Sequence, residues 1–307
     1  MKASPARPLA LLSLLLGATA IGFAPLFVRL SEVGPSATAF YRLLLAQPLL
    51  WLWVALDQRR DEPPLRPSAA RDLGMLALTG LFFAGDMSLW HWSLHYTTVA
   101  NSTLLTNFAP ILVTIGARVL FGERITLRFM CGLAIALSGA IMLVGASLQL
   151  SREHLLGDGI AVLTTTFYAA YLLSVSRLRR KFSAPTIMAW SGVVSAPALC
   201  LVAWLSGEKM VPATAHGWWV VAGLAVISHV GGQSLIAYGF GHLSASLSSV
   251  SLLWQPVVAA LLAWMFLSEK LGWLQAAGAV VTLAGIAVAT GFLARTRNAV
   301  SAVTPSP

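Results

Sequence analysis

Ten apolar runs of about 20 residues, separated by short polar joints, leave this chain few ways to fold. At 1.5 Å per residue such a run crosses a hydrocarbon core of roughly 30 Å. Inside that core each backbone group must find its partner within the protein, which a helix does by itself. The runs fall at 9–29, 35–56, 73–95, 98–121, 127–147, 157–176, 184–205, 217–240, 245–267 and 272–293. Only 10% of the 307 residues are charged and 57% are hydrophobic, whereas a water-facing domain carries about 25% charged residues. The expected fold is therefore an all-α integral membrane protein with ten transmembrane helices. Lys2 and Arg7 ahead of Leu9–Leu16 resemble a signal peptide, but the run continues to Val28 and reads as a first span.

The net charge of +9 sits in the joints, where it sets topology; no basic stripe of the kind that binds nucleic acid is present. With the N-terminus inside, Arg29, Arg152, Lys209 and Lys270 fall outside and Arg42 falls within a span. The remaining fifteen of the 20 Lys and Arg fall inside. The expectation is a multi-pass protein of the cell inner (plasma) membrane with both termini cytoplasmic. Cys131 and Cys200 lie in apolar runs without metal or redox spacing and read as small buried hydrophobes.

The sequence also repeats itself. A shift of 146 residues matches Gly85 to Gly231, Ser88 to Ser234, Ser102 to Ser248, Pro110 to Pro256, Glu123 to Glu269, Gly132 to Gly278 and Gly139 to Gly285. Each half holds five spans, 9–147 and 157–293. Five is odd, so the second half enters the membrane upside down. Two inverted five-helix repeats can rock around a central site between the two sides of a bilayer.

The shared segments are Pro110…Gly122-Glu123-Arg124 and Pro256…Ser268-Glu269-Lys270, each followed by a glycine-containing helix. With Pro35-Ser36…Phe40-Tyr41-Arg42 they make the chain resemble an EamA-type member of the drug/metabolite transporter superfamily, from Leu9 to about Leu293. The resemblance implies a central cavity and movement of small metabolites, by export or uptake, without ATP hydrolysis. The absence of a Gly-x-x-x-x-Gly-Lys-Ser/Thr loop agrees, and no cofactor or metal site is expected.

Charged groups inside a membrane are costly and mark function by default. Arg42 lies roughly 10 Å deep in the second span and Asp86 roughly 14 Å deep in the third. A pair between them would serve either as a substrate or gate site or as a static interior contact. Trp90 falls on the face of Asp86, whereas His91, about 140° away, faces another neighbour or a side of the pocket; Trp92 and Tyr96 read as interfacial anchors. His229 and Gln233 share a face of span eight, with Gly231-Gly232 permitting close helix approach or a bend. Asn101, Asn107, Trp254 and Gln255 on spans four and nine need protein or water partners. These ten residues, Trp92 and Tyr96 excluded, are the candidate cavity set. Pro110 and Pro256 are expected to bend their helices, and Glu123 and Glu269 to tie loops to neighbouring helix ends.

A secondary carrier of amino acids or related amphipathic metabolites, with protons as candidate coupling ion, is the leading expectation. A polytopic membrane enzyme would need a convergent catalytic cluster that no local spacing provides. A non-transporting scaffold is the third alternative.

Overall fold

The computed structural model describes residues 6–59, 63–93, 95–145, 152–266 and 272–291. These contain ten helices long and apolar enough to cross a membrane: Arg7–Leu30, Pro35–Asp57, Ala70–Ser93, Asn101–Phe121, Leu127–Val144, Leu155–Leu178, Ala184–Leu205, Ala215–Phe240, Ala245–Phe266 and Trp273–Thr290. They are called spans one to ten below.

The side chains are distributed as a bilayer demands. Leu52, Leu120, Trp204, Trp219 and Phe266 are exposed on the flanks, where lipid tails replace water. Alanine, serine, threonine and glycine crowd the interior; Thr38, Thr79, Thr164, Ser195, Ser228 and Thr282 are all buried. Small residues let backbones approach, and their hydroxyls bond across helices. Ser195 Oγ donates to the Gly80 carbonyl at 2.8 Å, and Ser228 Oγ donates to the Ala20 carbonyl at 2.9 Å. Cys131 corrects the expectation of burial: it is exposed, while Cys200 is half-buried. Its neighbour Gly132 turns inward toward span ten, and one step of 100° leaves Cys131 on the flank.

Spans five and ten reveal how the halves relate. Gly132 packs against Ala289, Gly139 against Thr282, Gly285 against Ala136 and Gly278 against Leu143. Numbers rise on one helix as they fall on the other, so the pair is antiparallel. The 146-residue shift converts the first contact into the fourth and the second into the third, with partners exchanged. A contact set that maps onto itself in this way has a two-fold axis. Because the helices are antiparallel, that axis lies across them, in the plane of the membrane.

The ends of the bundle are tied by carboxylates that cap helices of the other half. At the end rich in Arg and Lys, the Glu123 carboxylate accepts from the Ala245 amide at 2.7 Å, the Ser246 amide at 3.2 Å and the Ser246 hydroxyl at 2.6 Å. It thereby satisfies the free amides that begin span nine. At the opposite end Glu208 accepts from the Ala37 amide at 2.9 Å. Glu32 there accepts from the Thr214 hydroxyl and from the Ala213 and Thr214 amides, which hold its carboxyl below the ordinary range. Glu269 lies outside the described residues. Glu123→Ala is expected to cost about 1–2 kcal/mol, read as a lower thermal midpoint of the purified protein in detergent.

Three spans are interrupted. Span one breaks at Phe23, two residues before Pro25, between Ala6–Gly22 and Ala24–Leu30. Span four breaks at 107–108 between Val99–Thr106 and Ala109–Phe121, and span nine at 252–253 between Ala245–Ser251 and Trp254–Phe266. The last two breaks are repeat-related. Each stands just ahead of Pro110 or Pro256, which lacks an amide for the helical ladder and restricts the residue before it. Span eight instead widens into a π-helix over Leu224–Gln233.

Candidate functional site

A cavity of about 230 Å³ opens between the spans. Its lining comes from spans one to four, six, eight and nine, and reaches Val28 and Pro35 at the end away from the basic joints. Toward the basic end the bundle is closed by Leu14, Leu50, Leu76, Leu172, Ile187, Ile236 and Phe240.

Span two brings Arg42 to the cavity and span three brings Asp86, Trp90 and His91. Both charged side chains are buried, at 6% and 5% exposure. They are close enough for their charges to interact, yet among the described residues no ion pair within 4 Å joins them. Arg42 Nε has no hydrogen-bond partner, and the guanidinium stands 5.8 Å from the centre of the Phe83 ring. His91 lines the cavity beside Trp90, with ring centres 5.1 Å apart and its Nδ1 unpaired.

Asn107 sits at the break of span four and Gln255 two residues past the break of span nine. Both reach the cavity, each with an unpaired amide nitrogen. Gln233 and Pro256 also line it. The helix breaks explain this convergence: each frees a turn of backbone and turns the next polar side chain inward, where irregular backbone is tolerated because it faces a cavity. Buried donors without partners are rare in folded proteins. Here several converge on one space, where a solute with acceptor groups would satisfy them.

The structure does not bring every candidate there. Asn101 is buried elsewhere: with the Thr97 hydroxyl at 2.6 Å, its amide donates to Asp158 at 3.3 Å and fastens span four to span six. Trp254 donates its indole N–H to Thr19 Oγ1 at 2.9 Å and packs between two hydrophobic clusters. Pro110 lines only a small void of about 30 Å³ toward the basic end, shared with Asn107, Tyr168, Ser249, Leu253 and Gln255. His229 is buried behind Phe83, ring centres 5.8 Å apart, outside the cavity lining. In each case the helical face was set by tertiary packing that residue type alone does not report.

Phe83, Tyr168, Thr103 and Thr106 also line the cavity and were missed from sequence. Tyr168 had a signal, a hydroxyl in the middle of span six. Phe83 had none, since an aromatic ring inside an apolar run looks the same on either face.

Comparison with known proteins agrees with this architecture. Residues 8–145 and 155–291 each match the EamA-like transporter family. An uncharacterized transporter of Archaeoglobus fulgidus is 27% identical, covering 86% of this chain and 90% of its own. A probable terminal-alkyne amino-acid exporter of Streptantibioticus cattleyicolor is 28% identical over 87% and 88%. The pseudopaline exporter CntI of Pseudomonas aeruginosa is 25% identical over 73% and 76%. A solved crystal structure at 19% identity covers 94% of this chain and 99% of its own with a TM-score of 0.79, a likeness of fold. With ten spans, two matching halves and the antiparallel pairing of spans five and ten, this multi-pass membrane protein belongs to the EamA-like transporter family.

Proposed function

We propose that the protein is a secondary carrier that exports zwitterionic metabolites, amino acids or close relatives, by alternating access around the Arg42–Asp86 cavity. The observation that carries this reading is a pair of opposite charges, each buried, facing one cavity without joining in an ion pair. A solute carboxylate suits Arg42 and an ammonium suits Asp86. Phe83, Trp90 and Tyr168 offer apolar and cation–π surface to the rest of the molecule. Two of the relatives above are named as exporters, one of a terminal-alkyne amino acid and one of pseudopaline.

The basic joints favour an orientation with both termini in the cytoplasm of the plasma (inner) membrane. The cavity then faces outward, with the cytoplasmic side closed. Protons are the proposed coupling ion, carried by the Asp86 carboxylate.

The test is flux of a mixture of labelled amino acids in proteoliposomes, with and without an imposed pH gradient. Saturable flux that the gradient accelerates is the expected result. Flux indifferent to the gradient would remove proton coupling; no flux of any zwitterion would remove the substrate class.

A further inference from the structure

His229 has no part in the cavity, yet its position is informative. The 146-residue shift pairs it with Phe83, and these two repeat-equivalent residues touch, ring centres 5.8 Å apart. Equivalent positions that meet must straddle the two-fold axis, the same axis that relates spans five and ten. The two sides of this contact differ in chemistry and in setting. Both are 3% exposed, but Phe83 is part of the cavity lining, whereas His229 lies behind it with both ring nitrogens unpaired.

In a molecule of two inverted halves, the oppositely open state arises when the halves exchange conformations. Position 229 then takes the setting of position 83, and position 249 that of position 103. We infer that His229, with Ser249, lines the solute path when the cavity opens toward the basic end. A solute would meet a phenyl ring from one side of the membrane and an imidazole from the other. This rests on the alternating-access reading above.

A second feature supports the route. The small void beyond the cavity shares Asn107, Tyr168 and Gln255 with it and continues to Ser249 and Leu253. Leu253 is the repeat mate of Asn107, and Ser249 that of Thr103, both of which line the open cavity. The path that would open is thus already marked by a packing defect in the closed half. His229 also biases the balance. An imidazole buried without partners disfavours the present state, and hydration in the opposite state relieves it. It lies in the π-helical turn of span eight, a local geometry found often at functional positions.

The experiment uses single cysteines in a background lacking Cys131 and Cys200, in membrane vesicles of either orientation, with a membrane-impermeant methanethiosulfonate as probe. His229→Cys and Ser249→Cys are expected to react about tenfold faster from the basic-joint face, and Phe83→Cys and Thr103→Cys from the other. Ser249→Cys is nearly isosteric and keeps the test alive should His229→Cys fold poorly. In the Ser249→Cys protein, adding His229→Phe is expected to slow that reaction about fivefold, because the state open to the other side no longer buries an unpaired imidazole. Positions 229 and 249 reacting from the cavity face, or from neither face while the parent still carries the labelled amino acids, would overturn the exchange. A parent without flux would overturn the transport reading, and the inference with it.

Discussion

Arg42→Ala is expected to lower kcat/KM for a zwitterionic solute by about 100-fold, with the protein still folded. A hydrogen bond to a charged group is worth about 1.5–3 kcal/mol, and the upper part of that range corresponds to roughly two orders of magnitude. Arg42→Lys keeps the charge but not the planar fork, and is expected to lose about tenfold. Arg42→Gln combined with Asp86→Asn separates two roles. If the charges serve only each other, neutralising both removes the lone buried charge that either single change leaves, and flux returns. If they serve the solute, the double variant stays as inactive as the worse single one. The geometry favours the second result, since Arg42 Nε is unpaired and the two side chains share a cavity without an ion pair. Labelled uptake into proteoliposomes across solute concentrations measures it.

Gly139→Leu is expected to prevent assembly of a stable bundle. A Cβ at Gly139 would overlap the backbone nitrogen of Thr282 and the carbonyl oxygen of Gly278. Backbone atoms cannot swing aside as a side-chain tip can, so spans five and ten must separate along the contact that joins the halves. Overpacking in a core costs about 1–3 kcal/mol even where side chains give way, and here the obstacle is main chain. The expected readout is aggregation on size-exclusion chromatography and loss of a cooperative thermal transition. Gly159→Ala is the control. It lies on the exposed face of span six with nothing within 4 Å of a new Cβ, and is expected to leave stability unchanged or raise it by up to about 1 kcal/mol. A Gly139→Leu protein as monodisperse and heat-resistant as the parent would contradict the two-fold contact.

The fold was largely legible because a bilayer imposes one period and one length. Span ends differ from the sequence reading by up to about three residues, as for the third span, expected at 73–95 and found at Ala70–Ser93. The inverted repeat was legible through the fixed spacing of Pro110, Gly132 and Gly139 from their partners. The site was legible only where physics made a residue conspicuous. Arg42 and Asp86 stand out because charge in lipid is costly, and Trp90 follows from its position one turn from Asp86. For His91 the helix angle left a neighbouring helix or a side of the pocket open, and the cavity lining includes it. Asn101 and Trp254 could not be placed without their partners, Asp158 and Thr19, which lie 57 and 235 residues away. The break at Phe23 needed Pro25 to be weighed as Pro110 and Pro256 were.

Large apolar side chains on the flanks and small, hydroxyl-bearing ones within have a calorimetric consequence. Pulling these helices apart inside a bilayer exchanges protein contacts for lipid contacts and wets almost no hydrocarbon. The heat-capacity increment that bends the stability curve of a water-soluble domain, about 12–15 cal/mol/K per residue, then has little to act on. Stability should fall along a nearly straight line with temperature, and cooling should bring no second melting.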